Sequence, residues 1–323
     1  MKALKNKLEY NDGGYALLIA IGCMVGAGIV YAVLSFAFAD SFARDGIYLN
    51  IFLSQGMVLM AFVLFMRLKK PKPDVIGVRK VFNPWLLLLI PVAALCIYAF
   101  YPATYQMTAW LEFIGFKSKE MSIPLRTVGQ MLFAVFAVAV LPAIFEELVF
   151  RGAVFHALKE RGGAFAVVVS AAAFALFHGN PDQTVYQFLL GLMLGYAVLR
   201  TGSVYAGMIM HFCSNLLAIL YEYFGWKFWV PSAPGLFFGF AVVAAAAGLV
   251  LIPLLIQLIA RPERMRNLEL GIWNEGQNIY DGNNNSSDHS SLNKSIALKA
   301  AFTILALQWI LVLLGVIFGL IEL

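Results

Sequence analysis

The sequence predicts an all-α fold, a polytopic transmembrane bundle of about eight or nine helices. Of its 323 residues 61% are hydrophobic and only 13% charged, with a mean hydropathy of +0.81, well beyond the apolar content of a soluble domain. Apolar runs long enough to cross about 30 Å of hydrocarbon as a helix recur along the whole chain. Polar residues are confined mainly to the connections and to three short strings inside apolar segments.

Nine runs are expected as helices, at about 14–39, 47–66, 82–103, 127–158, 164–180, 183–200, 203–225, 235–260 and 296–321. The first follows Lys2, Lys5 and Lys7 and contains Ala37-Phe38-Ala39, which resembles a signal-peptidase site. Its apolar stretch is too long for a signal peptide, so it reads as a retained anchor. The segment 104–126 mixes Trp110, Phe113 and Phe116 with Glu112, Lys117 and Glu120, the pattern of an amphipathic helix lying in the interface. The fourth run continues through Arg151 and His156 to Lys159 and turns at Gly162-Gly163. The fifth and sixth are short, and Gly191 with Gly195 on the sixth have the spacing of close helix packing. Residues 267–295, with Asn283-Asn284-Asn285-Ser286-Ser287 and His289, lack apolar periodicity. The expected organisation is an N-terminal helical part with an interfacial segment (1–126), a transmembrane core (127–225) that carries the three polar strings, and C-terminal helices with a flexible cytoplasmic loop at 261–295.

Charge gives the orientation. With a cytoplasmic N-terminus, the inner segments hold seventeen basic residues: Lys2, Lys5, Lys7, Arg67, Lys69, Lys70, Lys72, Arg79, Lys80, Lys159, Arg161, Arg200, Arg261, Arg264, Arg266, Lys294 and Lys299. The outer segments hold five, Arg44, Lys117, Lys119, Arg126 and Lys227, which is a positive-inside bias. The net charge of +5 is thus explained by topology and anionic lipid, with no nucleic-acid partner. Cys23, Cys96 and Cys213 all fall within expected spans and form neither a disulfide framework nor a metal-ligand spacing.

The informative strings are Glu146-Glu147-Leu148-Val149-Phe150-Arg151, Phe174-Ala175-Leu176-Phe177-His178 and His211-Phe212-Cys213-Ser214-Asn215. Ionisable groups at bilayer depth are costly, so a functional site is the default reading. Glu146 and His178 each lie sixteen residues from Gly162, which at about 1.5 Å per residue puts both roughly 24 Å from that turn. His211 and Asn215 lie roughly 14 and 20 Å from the turn at Thr201-Gly202, so all four can converge in one layer. Glu147 and Arg151, four apart, are expected to pair across one helical turn. Glu146, rotated about 100° away, has no partner in its own helix and is the carboxylate available as general base. His211 and Asn215 also share a face, where the amide can orient the imidazole or donate to an oxyanion. Taken singly, a Glu–Arg pair reads as a structural lock and an intramembrane histidine as interhelical packing; it is their common depth that makes a site.

EELVFR, FALFH and HFCSN, the three strings taken together, resemble the EExxxR, FxxxH and HxxxN motifs of the CAAX-processing endopeptidase and bacteriocin-processing (CPBP, Abi) family of intramembrane proteases. The resemblance implies that Glu146 is the water-activating carboxylate, that Glu147 and Arg151 support the site, that His178 and His211 are catalytic, and that Asn215 stabilises an oxyanion. It implies an intramembrane endopeptidase acting on a membrane-associated or lipidated protein or peptide. Two mechanisms stand open: a divalent metal, zinc above all, held by Glu146, His178 and His211, or metal-free activation of water by Glu146 and His178. The lean is towards the metal. The competing classes are a catalytically silent peptide-binding or immunity membrane protein and an ion-coupled transporter, although no internal repeat supports the transporter. The expected setting is an integral protein of a prokaryotic plasma membrane, with membrane lipid as its surroundings.

Overall fold

A computed structural model describes residue 4 and residues 6–78, 83–116, 124–226, 234–269 and 295–318. Among these residues there are nine helices and no strand: α1 (Tyr10–Ala37), α2 (Ala39–Lys69), α3 (Leu89–Phe113), α4 (Val128–Arg161), α5 (Gly163–Phe177), α6 (Pro181–Thr201), α7 (Val204–Phe224), α8 (Pro234–Glu269) and α9 (Ile296–Ile317). All except α5 and α6 are long and apolar enough to cross a membrane, so the chain is an integral membrane protein. The fifth helix has 15 residues. The sixth has 21, but it turns Gln183, Tyr186 and Gln187 to an internal cavity, which lowers its hydropathy.

Local chemistry sets the ends. Thr127 opens α4 with a reciprocal cap, its Oγ1 accepting the Gln130 N–H at 3.2 Å while Gln130 Oε1 accepts the Thr127 N–H at 3.1 Å. Asn180 opens α6 by accepting the Asp182 N–H at 3.0 Å, with Pro181 at the first helical position. The turns foreseen at Gly162 and Gly202 need glycine, because φ is 111° at the first and 65° at the second. Helix α4 is not uniform: Val135–Val140 and Leu148–Phe155 are π-helical, flanking the turn that carries Glu146 and Glu147. Such widenings frequently mark functional sites.

Two apolar cores hold the bundle. One gathers Leu17, Phe65, Phe150, Phe155, Phe174 and Val198 from α1, α2, α4, α5 and α6. The other gathers Leu89, Phe100, Leu194, Met210 and Ile256 from α3, α6, α7 and α8. Helix α6 contributes to both. Its glycines allow the close approach: a Cβ on Gly191 would lie 3.1 Å from the Ala171 Cα, and one on Gly195 would lie 3.5 Å from the Val167 Cα.

Two expectations are corrected. Residues 104–113 are the last part of α3 rather than an interfacial helix, since the Met107 and Leu111 face packs on Val316 of α9; residues 117–123 lie outside the described residues. The expected loop at 261–295 begins later, because α8 continues through Glu269. Its remainder, 270–294, with His289, lies outside the described residues.

Candidate active site

Helices α4, α5 and α7 bring the three polar strings together. Glu147 and Arg151 are both fully buried, and the guanidinium donates to Glu147 Oε1 at 2.7 Å. The same oxygen accepts the His211 Nδ1–H at 3.0 Å. Arg151 also donates to the Gly191 carbonyl at 3.3 Å and lies over the Phe174 ring, 4.3 Å from its centroid. Buried charges persist when paired and hydrogen-bonded, so the carboxylate and guanidinium anchor the imidazole of His211 and hold one tautomer.

Glu146 sits in a different environment. The Gln55 amide of α2 donates to its Oε1 at 3.1 Å, while Oε2 is buried without a hydrogen bond and faces His178 Nε2 at 4.0 Å. His178 lies one residue beyond α5, and its Nδ1–H donates to the Phe174 carbonyl at 2.7 Å. A carbonyl can only accept, so Nδ1 carries the proton and Nε2 is the nitrogen presented to Glu146. The Phe174 ring packs edge-on against both His178 and His211, at centroid distances of 4.7 and 5.6 Å.

Asn215 is expected either to orient His211 or to donate to an oxyanion. It does not orient His211; its amide donates to the Val138 carbonyl at 2.9 Å. Glu146, His178, His211 and Asn215 nonetheless line one cavity of about 910 Å³, together with Gln55, Tyr105, Gln187 and Glu222. The fourth histidine, His156, donates from Nδ1 to the Arg151 carbonyl at 2.6 Å and packs on Gly77, a structural role.

Both imidazoles tie Nδ1 to an acceptor, as metal-bound histidines usually do. Yet among the described residues no group of three or more His, Cys, Asp or Glu side chains could hold a metal ion. The expected set of Glu146, His178 and His211 is therefore not assembled in this arrangement.

Gln55 and Gly207 went unnoticed in the sequence. Gln55 interrupts an apolar span, a signal that could have found it. At Gly207 a Cβ would collide with Glu147 Oε2, so glycine is what admits the carboxylate against α7.

Fold and site together define a polytopic helical membrane protein with a buried glutamate–histidine centre. Residues 128–217, which span all six expected site residues, match the family model described as type II CAAX prenyl endopeptidase Rce1-like. No curated protein and no solved structure matches the chain. That family-model match supports a CAAX-protease-like membrane enzyme.

Proposed function

We propose that the chain is an intramembrane endopeptidase in which Glu146 and His178 activate a water molecule. The observation that carries this reading is their mutual placement: a buried carboxylate oxygen with no other hydrogen bond faces an imidazole nitrogen at 4.0 Å. Two hydrogen bonds of about 2.8 Å meeting at one water span that distance. Both groups are proton acceptors, so such a water donates to each and turns its lone pair to the cavity. Its oxygen attacks the scissile carbonyl carbon, Glu146 takes the proton, and the same proton goes to the leaving amine as the C–N bond breaks. The Asn215 N–H not engaged by Val138 is the donor assigned to the oxyanion. Gln55 positions Glu146, and Glu147 with Arg151 positions His211.

A second reading has one observation in its favour, the tied Nδ1 atoms of both histidines. A divalent metal such as zinc, held by Glu146, His178 and His211, would polarise the carbonyl and acidify water when bound. That reading needs the three side chains to draw together.

The substrate class is a membrane-associated or lipidated protein or peptide, and the setting is a prokaryotic plasma membrane with the N-terminus in the cytoplasm. The alternatives are a catalytically silent peptide-binding or immunity protein and an ion-coupled transporter. Purified protein is tested on a quenched-fluorescent peptide library, with Glu146→Ala and His178→Ala beside the wild type, before and after chelation. Cleavage lost in both variants and untouched by chelators is the expected result. Activity surviving both substitutions would sink this centre, chelator loss restored by zinc would select the metal reading, and no cleavage by folded wild type would favour a binding or transport role.

A further inference from the structure

We infer that the active-site cavity is entered from the extracytoplasmic side and that its substrate is an exported peptide segment, uncharged or basic around the scissile bond. The substrate half rests on the endopeptidase reading above; the sidedness rests on the fold and the distribution of charge.

Interhelical contacts sort the helix ends into two faces. At one face the Tyr10 N–H donates to Glu160 at 2.6 Å, Lys69 pairs with Asp12 at 2.8 Å, and the Val204 N–H donates to the Gly77 carbonyl at 3.0 Å. These contacts gather the start of α1, the ends of α2 and α4, and the start of α7. At the other face Tyr105 meets Phe237 and Tyr48 meets Phe133, at ring-centroid distances of 5.1 and 5.0 Å, and Trp309 donates to Thr184 at 2.7 Å. The first face carries Lys69, Lys70, Lys72, Lys159, Arg161 and Arg200 on described segments; the second carries Arg44 and Arg126. By the positive-inside bias the first face is cytoplasmic. Helices α5 and α6 run out and back as a pair, so counting both or neither as full spans leaves every other connection on the same side.

The cavity belongs to the second face. Gln55 comes from the first half of α2, Tyr105 from the last part of α3, Val138 from the first part of α4, Gln183 from the first turn of α6, and Glu222 and Trp226 from the end of α7. Its deepest lining, Ile97, Glu146 and His211, lies mid-helix. Towards the cation-rich face Phe150, Arg151, Val154, Phe155 and Leu158 are fully buried and fill the bundle. Among the described residues the lining includes two carboxylates, Glu146 and Glu222, and no lysine or arginine, a field that draws neutral or basic segments and repels acidic ones.

The test uses the full-length chain in intact bacterial cells, with Cys23, Cys96 and Cys213 replaced by serine and single reporters at Glu222→Cys and Lys72→Cys, both exposed positions. A membrane-impermeant maleimide is expected to label the Glu222 variant on intact cells and the Lys72 variant only after permeabilisation. The reverse pattern overturns the inference. Trp226→Cys is a second reporter, so a misfolded Glu222 variant leaves the question decidable. Sealed vesicles of known orientation then receive a quenched peptide on one side or the other. Cleavage is expected from the Glu222 side and lost from the Lys72 side, and a lysine-flanked peptide is expected to be cut about tenfold faster than its aspartate-flanked twin. Cleavage from the Lys72 side overturns the inference while leaving the endopeptidase reading intact. Labelling as expected without cleavage of any peptide overturns the endopeptidase reading, and the substrate half with it, while the sidedness stands. Equal rates for the two peptides remove the charge preference.

Discussion

Asn215 donates its amide to the Val138 carbonyl at 2.9 Å, which fastens α7 to the π-helical stretch Val135–Val140 of α4, directly before the stretch that carries Glu146. Asn215→Ala is expected to cost about 0.5–1.5 kcal/mol of stability by removing this interhelical hydrogen bond. Thermal unfolding in detergent, compared for variant and wild type, reads the loss, and an unchanged midpoint would exclude this account.

Gln55 donates to Glu146 Oε1, a hydrogen bond to a charged acceptor. Such a bond is worth about 1.5–3 kcal/mol, so Gln55→Leu is expected to lower kcat by roughly 10- to 100-fold. KM should move little, because the amide orients the base and leaves peptide binding largely to other groups. A rise in KM at unchanged kcat would instead assign Gln55 to substrate binding.

Breaking the buried Glu147–Arg151 pair from one side leaves an uncompensated charge. Arg151→Met is expected to destabilise the protein by about 3–5 kcal/mol. Replacing both members, with Glu147→Leu added, should recover much of the stability but none of the activity, since His211 then loses the acceptor for its Nδ1–H. Unfolding midpoints and peptide cleavage, measured on the same preparations, separate the two effects.

Gly207 admits the Glu147 carboxylate where a methyl group would overlap Oε2. Gly207→Ala, an unremarkable change on an exposed helical face, is expected here to displace Glu147 and reduce cleavage sharply while the helical content stays the same. Gly195→Ala, with its nearest neighbour at an ordinary 3.5 Å, is the control and should be much milder. Circular dichroism and peptide cleavage, compared for the two variants, check the prediction.

Periodicity and depth were readable from the residues alone. The spacing of four between Glu147 and Arg151 foretold their pair, found at 2.7 Å. Equal distances from the Gly162 turn foretold that Glu146 and His178 would be level, and they stand 4.0 Å apart. These are consequences of helix geometry, in which rise per residue and positions along one chain set both quantities. Hydropathy likewise located all nine helices, because lipid imposes its demand on each span separately.

Partners between helices are another matter. Gln55 lies 91 residues from Glu146, and nothing in either segment specifies the rotation that turns them towards each other. Asn215 shares a helical face with His211, which suggests that it orients the imidazole or donates to an oxyanion; that one of its amide hydrogens goes to the Val138 carbonyl of α4 is specified by neither segment. Residues 104–113 looked interfacial until Val316 of α9 covered their apolar side. The chain's own pattern thus determined which elements exist and how deep each polar group sits. The tertiary structure alone decided which groups touch, because helix rotation, local winding and close glycine contacts are settled by packing among segments far apart in sequence.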